Sequence, residues 1–170
     1  MNQPPSHHPD TNPRVGTLTT DIGVAHFASL GRLTVQFALL EHGLARLIHA
    51  MLGADSVRAT IVTADLPFKG RASVAAALYR QRILGSPNRV ERMAKIIGAA
   101  CKAEADRNTL IHSTWMAAGR GEDPYRTKIS ARNNRLVIHD VQVPAAEIEA
   151  VTARLAALTF DVLTLEQEFI

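Results

Sequence analysis

A mainly α fold, an antiparallel bundle of four or five helices with a small β-hairpin before the last helix, is predicted by three observations. The 170 residues include 26 Ala and 17 Leu against eight aromatics, a vocabulary that favours helix over a β-sandwich. Three long segments repeat their apolar residues at alternating steps of three and four, the period of a helix with one buried face. One short stretch, KISARNNRLVIH, changes to a period of two around a pair of asparagines.

The first helix is expected from about Asp21 to Met51, because Leu30, Leu33, Phe37, Leu40, Leu44, Leu47 and Met51 form one seam. Thr19 or Thr20 suits its N-cap, Asp21 suits the positive end of its dipole, and Gly53 suits its C-terminal stop. A shorter helix follows from Ser56 to about Ala64, stopped by Pro67. The third, Arg71 to Leu84, turns Val74, Leu78 and Ala75 to Ala77 inward, leaves Arg71, Arg80 and Arg82 in water, and closes at Gly85. The fourth is expected to start at an Asn88 cap with Glu91 three residues on, and to run to about Met116 before Gly119, Gly121 and Pro124. A two-residue turn at Asn133-Asn134 pairs 129 with 138 and 131 with 136. That register puts Ile129, Ala131, Leu136 and Ile138 on a face packed against helices, and sets Arg132 against Arg135. The last helix opens with Pro144 at its first position and carries the seam Ile148, Val151, Leu155, Leu158, Val162, Leu165 and Phe169.

At this length one domain can bury a core without disulfides or a structural metal. Residues 1–17, with Pro4, Pro5, Pro9 and Pro13 and no apolar period, read as a disordered tail before a single helical domain over 18–170. They resemble no signal peptide, no segment is long and apolar enough to span a membrane, and the lone Cys101 excludes a disulfide framework, so a cytoplasmic setting is expected. Neither a metal nor a cofactor is expected, since Cys/His ligand clusters and Gly-rich phosphate loops are missing from the sequence. The net charge of +3 is uneven. Between Lys69 and Arg135 there are 14 Lys/Arg against five Asp/Glu, a balance of +9, which leaves −6 on the remainder and points to a polyanionic partner.

The seam of the fourth helix, continued from Val90, reads Met93, Ile97, Ala100, Glu104, Arg107, Ile111 and Thr114, so two charges fall where a core is expected. An unpaired buried charge is costly, and Glu104 and Arg107 must pair, face a cleft, or meet a ligand or second subunit. At roughly 100° per residue, Arg107, Asn108, His112 and Trp115 all project within about 80° of Glu104. A satisfied polar layer, with Glu104 and Arg107 paired, would explain this pattern without function. The alternative is chemical: an imidazole beside a phosphate-binding guanidinium is a minimal set for cutting RNA. In that reading His112 takes the proton of a ribose 2′-hydroxyl, Arg107 stabilises the phosphorane, Asn108 orients either, and Glu104 orients the substrate.

The segment Arg107-Asn108-Thr109-Leu110-Ile111-His112 resembles the signature of the HEPN (higher eukaryotes and prokaryotes nucleotide-binding) superfamily, an Arg, a polar residue and then a His. The resemblance implies a helical bundle that forms a homodimer, with the two motifs meeting in one metal-independent endoribonuclease site. It also implies a toxin or phage-defence effector, with an antitoxin protein as a partner. Arg71, Arg80, Arg82, Arg120, Arg126, Arg132 and Arg135 are the expected RNA-binding surface. Two alternatives are a catalytically inactive RNA- or nucleotide-binding module and a plain helical dimerisation domain. His26, His42 and His49 read as packing or solvent histidines, and Cys101 as a small buried side chain without an activated thiol.

Overall fold

The computed structural model describes residues 21–53, 56–132 and 135–170. It is mainly helical: α1 (Val24–Leu52), α2 (Ser56–Ala64), α3 (Phe68–Arg82) and α4 (Pro87–Ile111) precede β1 (Thr114–Met116), β2 (Tyr125–Arg132) and β3 (Arg135–Gln142), and α5 (Ala145–Glu166) follows. A turn of 3₁₀ helix, Gln167–Phe169, ends the chain. The expected tail and the Thr19/Thr20 cap lie outside the described residues, as does the Asn133-Asn134 turn.

Four helices close a ring in which α1 packs on α5, α5 on α4, α4 on α3 and α3 on α1. Its core is made by the seams: Leu33, Leu40, Leu44 and Leu47 of α1 and Ile148, Leu155, Val162 and Leu165 of α5 are wholly buried. Side-chain partners fix the directions. Ser29, Gln36 and Arg46 meet Glu149, Thr159 and Glu166 in turn, so α1 and α5 run parallel, whereas Asp106 meets Arg154 and Arg89, at the start of α4, meets Glu168, just past α5, so α4 runs against α5. The short α2 carries the chain back, so that α3 also runs with α1 and places Phe68 against Phe37, ring centroids 5.1 Å apart.

Helix ends depart from expectation for local reasons. α1 begins at Val24, after Gly23 donates to the Asp21 carboxylate, and ends as expected at Gly53, whose φ of 59° suits glycine. α3 begins three residues early, at Phe68. Arg71 is half-buried, donating to the carbonyls of Thr63 and Ala64 at the end of α2, while Arg82 stays exposed as expected and donates to the Met51 carbonyl at the end of α1. Unsatisfied terminal carbonyls attract such cations. The Asn88/Glu91 capping box does not form, since α4 opens at Pro87 after Ser86 and Glu91 pairs with Lys95 at 2.8 Å. Pro144 stands just before α5 instead of at its first position.

The sheet holds one strand more than expected. α4 stops at Ile111, and 114–116 pairs with 125–127 as β1. The terminal carbonyls of α4 explain the stop: those of Asn108, Thr109 and Leu110 accept from the His112 N–H, the Ser113 hydroxyl and the Trp115 indole. β2 and β3 pair in the expected register, 129 with 138 and 132 with 135. Yet Ile129 is 60% and Ile138 42% exposed, so at these two positions the hairpin does not pack on helices; at its base the buried Thr127 donates to Asp140. No helix of the described residues is long and apolar enough to cross a membrane.

Candidate functional site

Asn108 and His112 are one turn apart at the end of α4, and i, i+4 spacing puts both side chains on one face. They line an open groove of about 480 Å³ between that helix end and β2, with Thr109, Ser113, Thr114, Thr127, Lys128 and Ile129. His112 and Lys128 are exposed. A proton acceptor, a primary ammonium and an amide therefore meet one solvent-filled space.

The neighbouring strand adds backbone donors. The Val143 N–H donates to the Pro124 carbonyl, which fixes the alternation of the β2 ladder: 126, 128 and 130 bond towards β3, while 125, 127, 129 and 131 point the other way. β1 covers that second side only as far as Thr127. Among the described residues no strand pairs with the free edge at Ile129 and Ala131, beside the groove.

Arg107 turns away from the groove. Its guanidinium lies over the Phe37 ring of α1, 4.7 Å from the centroid, and its Nη1 donates to Asn108 Oδ1 at 2.9 Å. No ion pair joins it to Glu104. Arg107 Nε and Glu104 Oε2 are both buried without a hydrogen-bond partner. The cation is held by an aromatic face and an amide oxygen, and its bond to Oδ1 leaves the Asn108 NH₂ group as the donor available to the groove. Cys101, one turn before Glu104, is half-buried; burial, reinforced by the Glu104 charge and opposed by Lys69, pushes its thiol above the usual range. It carries no activated thiolate.

The expected RNA-binding arginines stand in different local settings. Arg71 and Arg82 are committed to helix ends, Arg80 is exposed on α3, and Arg120 is exposed in the β1–β2 connection. Arg126 lines a second groove, of about 290 Å³, with Asp106, Glu147 and Arg154. The side chains of Arg132 and Arg135 lie outside the described residues. The sequence reading missed Lys128, although alternation along β2 already places it at the foot of the hairpin. It also missed Asp123, whose Oδ1 is 3.7 Å from His26 Nε2 while that ring donates to the Val143 carbonyl. His26 in turn packs near Trp115, ring centroids 6.4 Å apart, and so braces the segment that follows His112. No protein-family model, curated protein or solved structure matches the chain.

Proposed function

We propose that the protein is an endoribonuclease acting through the groove at the end of α4. One observation carries the reading: His112, Asn108 and Lys128 line the same open groove. The HEPN-like motif and the +9 balance of the chain between 69 and 135 support it.

In the proposed reaction the His112 imidazole takes the proton of a ribose 2′-hydroxyl. The 2′-oxygen bonds to phosphorus as the bond to the 5′-oxygen breaks, and that oxygen takes a proton from solvent. The products are a 2′,3′-cyclic phosphate and a 5′-hydroxyl. Lys128 faces the charge that develops on the phosphoryl oxygens, and Asn108, held by Arg107, donates from its amide. Arg107 acts through Asn108 and is a positioning residue. Acting on cellular RNA, such an enzyme fits the role of toxin or defence effector restrained by an antitoxin protein.

The test is cleavage of single-stranded RNA by the purified protein in the presence of EDTA, with end-group analysis. His112→Ala is expected to cut at least ~100-fold more slowly with RNA affinity almost unchanged, and a substrate carrying 2′-deoxyribose at the scissile position is expected to be inert. The inward turn of Arg107 favours a second reading, a module that binds RNA without cutting it. Binding without cleavage by the wild type would establish that one instead.

A further inference from the structure

The groove at the end of α4 does not stop at Thr109. That exposed side chain also lines the groove of about 290 Å³ whose walls include Asp106 and Leu110 of α4, Glu147 and Arg154 of α5, and Arg126 of β2. Asp106 and Arg154 in turn line a third hollow, of about 470 Å³, with Ala99, Lys102 and Ala103 of α4 and Ala157 of α5. The three are segments of one trough, which leaves the His112 groove and follows the junction of α4 and α5. Sequence makes the depression: Ala99, Ala103, Ala150 and Ala157 line it, and alanine leaves open the space that a longer side chain would fill. Lys102 stands ten positions before His112, about 15 Å away at 1.5 Å per residue of helix.

The charge along the trough is mostly of one sign. Lys128, Arg126, Arg154 and Lys102 succeed one another, against two carboxylates, Asp106 and Glu147. Asp106 is already answered, because Arg154 Nη2 donates to its Oδ2 at 3.0 Å, and the Arg154 side chain, 54% exposed, keeps its other guanidinium donors. Lys102, Arg126 and Lys128 form no ion pair among the described residues. Cations spaced along a channel suit a chain of phosphates. The described residues lining the two outer segments include no aromatic ring on which a base would stack, so contact there is with the backbone and indifferent to sequence.

We propose that this trough holds the single-stranded RNA on one side of the scissile phosphate, its phosphates met in order by Arg126, Arg154 and Lys102. The proposal rests on the reading of the His112 groove as the place of cleavage. At the 3.4 Å per nucleotide of a stacked strand, ~15 Å accommodates about four nucleotides. Lys102 and Arg154 are thus binding residues remote from the chemistry, and substrate length is what they sense.

The test uses single-stranded oligodeoxynucleotides carrying one ribonucleotide, which fixes where the cut falls, lengthened stepwise on the 5′ or the 3′ side. Cleavage gives kcat/KM and fluorescence anisotropy gives affinity. Wild type is expected to improve over about four added nucleotides on one side and not on the other. Lys102→Glu is expected to lose about tenfold in affinity for the longest member, with a salt slope lower by about 0.7 and an unchanged melting temperature. Lys69→Glu makes the same charge change at an exposed position of α3, away from the trough, and is expected to keep the full gain with length. Cleavage that is indifferent to length, a Lys102→Glu that keeps the gain, or a Lys69→Glu that loses it equally would each overturn the trough while leaving the His112 groove as the cleavage site. A gain in affinity with length but no cleavage of any member would uphold the trough and overturn the enzyme. Neither binding nor cleavage would overturn both.

Discussion

Arg107 shows what a single position can carry. Its place in the 3, 4 seam of α4 was legible from spacing, and so was the cost of leaving it bare, but its direction was not. Direction depends on Phe37, seventy residues earlier, whose ring offers a face to a planar cation. The expected ion pair with Glu104 is replaced by that face and by Asn108. Removing the guanidinium thus disturbs the fold and the groove together. Arg107→Ala is expected to lower stability by about 1–2 kcal/mol in a denaturant titration, and to slow cleavage through a misplaced Asn108. His112→Ala, at an exposed cap, is expected to change stability by less than ~0.5 kcal/mol. A stable Arg107→Ala that has lost cleavage entirely would make Arg107 a direct ligand of the phosphate.

At the scale of elements, periodicity predicted what packing required. The α1 and α5 seams are buried almost residue for residue, because a 3.6-residue repeat is visible without knowing the partner. Ends were less legible, since they depend on which distant group reaches a terminal carbonyl. Trp115 was assigned to the helix and instead closes it, freeing 114–116 to pair with β2. The hairpin register followed from the two asparagines, but the exposure of Ile129 did not, because nothing local says how far a hairpin projects. The short β1 leaves the edge of β2 open beside His112. Proline at 129 deletes only an N–H that points away from β3, a substitution edge strands accept. Ile129→Pro is expected to weaken RNA binding several-fold beyond the effect of Ile129→Ala, with thermal unfolding of the two variants alike. Equal binding by both would show that the strand edge does not touch RNA.

The whole molecule divides its charge by use. The basic stretch from 69 to 135 looked like one surface because sequence counts charges without showing which are spent. Arg71 and Arg82 close helix ends, and Arg89 and Arg92 hold Glu168, which also accepts from the buried Tyr79 and ties the C-terminal turn to α3 and α4. Arg80, Arg120 and Lys128 are exposed and form no ion pair among the described residues. If RNA lies along the groove, unspent cations such as these displace its counterions, at a slope of roughly 0.7 per phosphate neutralised. Three charge reversals change net charge identically and should still part company. Lys128→Glu and Arg120→Glu are expected to weaken RNA affinity and to lower the salt slope by about 0.7 for each phosphate left unneutralised, at unchanged melting temperature. Arg82→Glu strips the Met51 carbonyl of its donor and sets a carboxylate at the negative end of α1, so it is expected to cost about 1–3 kcal/mol of stability, with a much smaller change in slope. Equal losses of affinity across all three would mean that RNA responds to the total charge of the protein and not to the groove at the end of α4.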